Sequence, residues 1–120
     1  MTGESPERSW TLPDSLRELA EEGNEFLVME VLSVFRSDST ERLEILSRAL
    51  AAGDRLQIRN QAHALKGSSS QIGADDMAAV CQEMELLAPT AAAGALATLA
   101  DRAKVHFVAV LDAITRQYGQ

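Results

Sequence analysis

Apolar residues recur three and four positions apart along most of the chain, the spacing of α-helices that bury one side. β-branched residues never alternate with polar ones for long, and Pro6, Pro13 and Pro89, the only prolines, fall where helices should start or stop. Residues 1–11 read as a flexible leader and 12–120 as one folded domain. Pro13 precedes a short helix over about 14–22, carrying Leu16, Leu19 and Ala20, which Gly23 ends. Asn24 is placed to cap a second helix, about 25–36. Asp38 with Glu41 reads as a capping box that opens a third, to about Ala52, with Leu43, Leu46 and Leu50 on one face. Gly53 closes it, and Asp54 starts a fourth helix that runs to about Ile72 and stops at Gly73. Asp75 or Asp76 begins a fifth, striped by Met77, Val80, Met84 and Leu87. Ala88–Pro89–Thr90 interrupts the pattern, and a last helix extends from about Ala91 to Tyr118 along Leu96, Leu99, Ala103, Phe107, Val110 and Ile114. Short connections between long amphipathic helices predict an all-α fold, an antiparallel four-helix bundle with short additional N-terminal helices.

The helix over 25–36 carries more apolar side chains than one stripe needs. Val28, Val31, Leu32 and Phe35 share a face, while Phe26, Leu27, Met29 and Val34 fall outside it and must pack under a neighbour or form a sticky surface. Composition narrows what that surface can meet. A net charge of −7 argues against nucleic-acid backbones and anionic membranes, which select clustered Lys and Arg, and favours protein partners. Cys81 is the only cysteine, so an internal disulfide and a multi-cysteine metal site are excluded, and a packing role is expected for it. No apolar run approaches the length of a membrane span, and MTGESPERSW lacks the apolar core of a secretory signal, which points to the cytoplasm.

The chemistry concentrates in residues 54–73, DRLQIRNQAHALKGSSSQIG. At about 100° per residue, Ile58, Ala62, Leu65, Ser69 and Ile72 cluster within roughly 80° and form the core stripe. His63 lies about 140° from the centre of that stripe, with Arg59, Lys66, Gly67 and Ser70 on the same outer side. A glycine inside a helix costs about 1 kcal/mol relative to alanine, so Gly67 wants a reason. Helical side chains lean toward the N-terminus, so residue i+4 tends to cover residue i, and a glycine at 67 leaves His63 open to another molecule. Lys66 is three residues from His63, which puts the two Cβ atoms about 5–6 Å apart and an ammonium within reach of a group carried on the imidazole. Ser68 and Ser70 offer hydroxyls, and Gln71 lies two turns on at the rim.

AHALKGSSSQIGA, residues 62–74, resembles the signature of histidine-containing phosphotransfer (HPt) domains: His, Lys and Gly in H-x-x-K-G spacing, then small or hydroxyl residues and a further glycine. The likeness extends to Leu12–Pro13, the greasy segment ending at Phe35, ALAAGD at 49–54 and Met84–Glu85, and so covers about residues 12–118. The resemblance implies that His63 accepts a phosphoryl group, with Lys66 and Gly67 in supporting roles and Ser68, Ser70 and Gln71 around them. It implies response-regulator receiver domains and a histidine kinase, hybrid or not, as partners. It also implies that Mg²⁺ arrives with the receiver and that this chain binds no cofactor or metal of its own. Apolar residues beside the histidine would then dock the receiver, Phe26, Leu27 and Met29 first among them, and Arg59 could steer its acidic rim. Gln71 departs from the Asn of many members but keeps a side-chain amide.

Other readings are weaker. His106 has no metal-ligand spacing around it and reads as a partly buried structural residue, and Trp10 as a lid on the bundle. No Gly-rich nucleotide loop or Walker sequence is present, so an autonomous enzyme is not expected. The alternative is a non-transferring helical interaction module that binds a receiver or kinase, and the intact His63, Lys66 and Gly67 speak against it. A start at Met1 and an end soon after the last helix fit a free-standing carrier, although a kinase's phosphoacceptor domain would look the same, and a monomer is expected because the surplus apolar surface has a use in docking.

Overall fold

The computed structural model describes residues 10–119, and among them every regular element is a helix. A short α1 (Asp14–Glu21) precedes four long helices: α2 (Glu25–Ala52), α3 (Arg55–Gln71), α4 (Asp75–Leu87) and α5 (Ala93–Tyr118). The long helices pack in a ring, α2 on α3, α3 on α4, α4 on α5 and α5 back on α2, with α1 against α2. This is the expected antiparallel bundle, with one extra helix at the front. Residues 1–9 of the expected leader lie outside the described residues; Trp10, which the leader expected over 1–11 included, is buried and belongs to the bundle instead.

The two helices expected over 25–36 and 38–52 are one. Neither Gly nor Pro separates Phe35 from Asp38, and the buried stripe runs unbroken through Val28, Leu32, Phe35, Ser39, Leu43, Leu46 and Ala49. Ser39 occupies a core position in mid-helix, so the hydrophobic pattern lapses where the backbone does not. Asp38 caps nothing: its carboxylate accepts from Arg42 Nε at 3.0 Å, one turn on. Asn24 likewise makes no side-chain cap, and only its carbonyl enters the helix, accepting from the amides of Leu27 and Val28.

The turns that set the helices antiparallel are built alike. Gly53 (φ 70°) and Gly73 (φ 77°) take the left-handed conformation that a side chain would strain. Their amides, with those of Asp54 and Ala74, satisfy carbonyls at the ends of α2 and α3, the Gly53 amide reaching Leu50 and the Asp54 amide Ala49. Asp54 then starts α3 by accepting from the Gln57 amide at 3.1 Å. The last helix begins two residues later than expected, because the amides of Thr90 and Ala91 turn back onto the Leu87 carbonyl.

Leu32, Leu46, Leu65, Ile72, Met77, Met84, Leu96 and Ile114 are the largest fully buried side chains, and Phe35 meets Phe107 edge-on at 5.7 Å. All five residues of the α3 stripe and all six of the α5 stripe are buried. Leu87, expected on the α4 stripe, is exposed, and Cys81 and Ala78 join the buried face instead. Cys81 is enclosed, and burial pushes its thiol up to about 12, the inert packing role expected of it. At one end of the bundle Trp10 donates from Nε1 to the Ile72 carbonyl (2.8 Å), lies edge-on to Tyr118 (6.5 Å) and accepts at its own carbonyl from Gln117 Nε2 (2.7 Å).

Candidate functional site

α3 presents three flanks. One is the core stripe. A second faces α2, where Gln61 accepts from Arg42 at 3.0 Å and donates to Gln57 at 2.7 Å. The third looks outward beside α4, and His63 stands on it with 66% of its side chain exposed. The tight turn through 72–74 folds α4 back along α3, so that Glu85, 22 residues on, reaches the histidine. Its Oε2 lies 2.8 Å from His63 Nδ1 and its Oε1 3.0 Å from Lys66 Nζ. One carboxylate thus holds both the imidazole and the ammonium. It does so from a sheltered position, its side chain only 14% exposed.

The protonation states follow from this geometry. The Lys66 ammonium, with help from His63, holds the Glu85 carboxyl below its ordinary range, against the opposing pull of its shelter from water. An ionised carboxylate can only accept, so Nδ1 carries the hydrogen that it donates to Glu85. In the neutral ring the lone pair is then on Nε2, the nitrogen not engaged by Glu85.

Gly67 lies in ordinary helical backbone, and a Cβ added there would meet nothing within 4 Å. The space over His63 is therefore open, as its place one turn after the histidine suggested. Arg59, Ser70 and Gln71 are exposed, and Ser68 is half-buried with its hydroxyl 3.3 Å from the Ala64 and Leu65 carbonyls. Ser69 belongs to the core. Ser68 and Gln71 turn toward α2, where with Val31, Val34, Glu30 and Asp38 they line a hollow floored by Phe35 and Ile72. Of the surplus apolar residues, Phe26 is 75% exposed and Val34 60% exposed, Leu27 is exposed and Met29 is half-buried. Phe26 and Met29 line a separate hollow with Glu25 and Tyr118, whereas Val34 shares the one that Ser68 and Gln71 border.

Sequence reasoning missed Glu85 as a site residue. Two signals pointed near it: Met84–Glu85 is part of the family likeness without a role attached, and counting outward from the 72–74 turn in an antiparallel hairpin brings residues near 85 opposite residue 63. His106 is buried on the α4–α5 side of the bundle, as its place between apolar stripes suggested.

Residues 30–117 match the Hpt domain family. The chain belongs to that family. The crystal structure of histidine-containing phosphotransfer protein B (HptB) from Pseudomonas aeruginosa PAO1 superposes on this Hpt domain with a TM-score of 0.77, at 29% sequence identity, covering 93% of this chain and 98% of that one. Histidine-containing phosphotransfer protein 5 of Arabidopsis thaliana is 38% identical over 69 residues, which is 55% of this chain. The match spans 44% of that curated relative. Among the described residues of the Hpt domain, no helix is long and apolar enough to cross a membrane.

Proposed function

We propose that this Hpt domain is a phosphorelay carrier in which His63 takes a phosphoryl group on Nε2 from a receiver domain or a hybrid histidine kinase and passes it to the aspartate of another response regulator. The observation that carries the reading is the exposed imidazole whose Nδ1 is tied to Glu85, which leaves Nε2 as an oriented nucleophile. Phosphoryl transfer depends on positioning and charge stabilisation more than on covalent machinery, so a small site suffices when the partner supplies the rest. The chain's own contribution is a ring fixed in one tautomer, a gap at Gly67 for the partner, and the Lys66 ammonium for phosphoryl oxygens. Ser68, Ser70 and Gln71 border the approach. Mg²⁺ belongs to the receiver in this reading, and the chain acts as a carrier, without turnover of its own.

The partner docks over the α3 surface with the exposed apolar residues of α2. Phe26, Leu27 and Met29 supply part of that surface, Arg59 supplies charge, and Val34 joins them as the exposed apolar side chain of the hollow beside Ser68 and Gln71. The reading places the protein in the cytoplasm as a monomer.

A phosphotransfer assay from a phosphorylated receiver tests it. Acid-labile phosphate should appear on the wild type and be absent from His63→Gln. Receivers that bind without transferring phosphate would overturn the carrier reading in favour of an interaction module.

A further inference from the structure

The Glu85–His63 hydrogen bond has a consequence for the phosphorylated state, which rests on the carrier reading above. A histidine that attacks through Nε2 while Nδ1 keeps its hydrogen becomes a phosphoimidazolium, with a cationic ring and an anionic phosphoryl group. If Nδ1 then loses that proton, the ring becomes neutral and the N–P bond resists cleavage, because the departing imidazole would leave as an anion. The fate of one proton therefore separates a phosphohistidine that transfers readily from one that stores phosphate.

Glu85 stands at that proton. It approaches Nδ1 to 2.8 Å, from a sheltered position, and its own carboxyl is held in the ionised form. A carboxylate that accepts from the cationic ring stabilises the cation and opposes loss of the proton. The other charges near the ring work differently. Lys66, 3.0 Å from the second carboxylate oxygen, draws part of Glu85's charge away from the imidazole, and Arg59 lies one turn before His63 on the same side of α3. From α2, Arg42 of the Asp38–Arg42 pair bonds Gln61 on the opposite flank of α3, and the carboxylates of Glu30 and Asp38 line the hollow beside Ser68 and Gln71.

We infer that Glu85 is a positioning residue that keeps phosphorylated His63 in its protonated, transfer-ready form near neutral pH. In the forward step the Nε2 lone pair forms the N–P bond. The P–O bond of the aspartyl phosphate breaks, its electron pair stays on the carboxylate, and Nδ1 keeps its hydrogen, still donated to Glu85. In the onward step an acceptor aspartate oxygen bonds to phosphorus, the N–P electron pair returns to Nε2, and a neutral imidazole leaves with Nδ1–H still in place. No proton moves in either direction, so the two steps are mirror images and the carrier is reversible.

The test avoids the partner by using phosphoramidate as a small-molecule phosphoryl donor to His63. The ³¹P resonance of the phosphohistidine and its rate of hydrolysis are then followed against pH in the wild type, Glu85→Gln and Lys66→Met. An opposite charge at this range raises a cation's pKa by about 1–3 units, so the titration midpoint should fall by at least about one pH unit in Glu85→Gln. It should rise in Lys66→Met, where the carboxylate is no longer shared. Midpoints that coincide in the wild type and Glu85→Gln, or a fall in Lys66→Met, would overturn the inference while leaving the carrier reading intact. The carrier reading fails separately, if His63 takes no phosphate from a phosphorylated receiver.

Discussion

Replacing Gly67 separates the needs of the helix from those of the site. The glycine lies in the interior of α3 with ordinary helical backbone, and an added Cβ meets nothing within 4 Å, so alanine enters without a clash. Alanine is favoured over glycine in a helix interior by about 0.8–1.0 kcal/mol, and no lost contact offsets that gain here. Gly67→Ala should therefore stabilise the protein by about 1 kcal/mol and raise Tm by about 4 °C. Gly67→Leu should stabilise it by slightly less. Function should move the other way, because a side chain at position 67 leans back over His63. With leucine, whose branched end can lie across the exposed imidazole, the rate of transfer from a phosphorylated receiver should fall at least about tenfold, equivalent to about 1.4 kcal/mol in the barrier. Alanine should cost less than that. Chemical denaturation gives the stability, and quenched-flow transfer of labelled phosphate gives the rate. Wild-type transfer by Gly67→Leu would refute the argument that glycine is there for access. A destabilised Gly67→Ala would show instead that the helix needs the glycine for packing.

Trp10→Phe should cost about 1–3 kcal/mol, read by circular dichroism in denaturant, because it removes the buried donor to the Ile72 carbonyl. Leu46→Ala, at a fully buried position, should cost about 2–5 kcal/mol in the same measurement. Asp54→Ala should lose about 1 kcal/mol as the cap of the Gln57 amide disappears. The Glu85 carboxyl titrates below its ordinary 4.5 in the folded protein, so its ionised form contributes stability above that value, and the contribution is lost as pH falls through the lowered one. The stability advantage of the wild type over Glu85→Gln should thus shrink as pH falls below about 4.5, and a gap that went on widening through that range would contradict the sign of the shift.

The faces of α3 were legible because its core stripe is uninterrupted and the residues opposite it are polar, so His63, Lys66 and Gly67 could be assigned to the outside from spacing alone. α2 was harder. A serine at the buried position 39 and an acid one residue earlier imitate a helix start, and only packing shows that the backbone continues through them. Glu85 stood in the family likeness, but its role beside His63 was illegible for another reason: the α3 sequence holds no trace of a partner that lies across a turn. Its role depends on the length of α4 and the tightness of the 72–74 connection, both tertiary quantities. Trp10 reads from the sequence as a lid, but its bond to the carbonyl of Ile72, the residue that caps α3, could not be read from composition or period.

That bond also fixes how the domain can be wired into other polypeptides. Gln117 and Tyr118 meet Trp10 at the same end of the bundle, so the incoming and outgoing strands of the chain share one pole. His63 precedes Ile72 by nine residues, about 13 Å along the axis of α3, and faces sideways from that pole. Chain leading into Trp10 or out of Tyr118 meets the bundle at that pole and not at the imidazole. A tether from residue 118 back to residue 10 needs only a few residues, so the bundle can be closed into a circle and reopened at the exposed Pro89–Thr90 corner with its phosphoacceptor face unchanged.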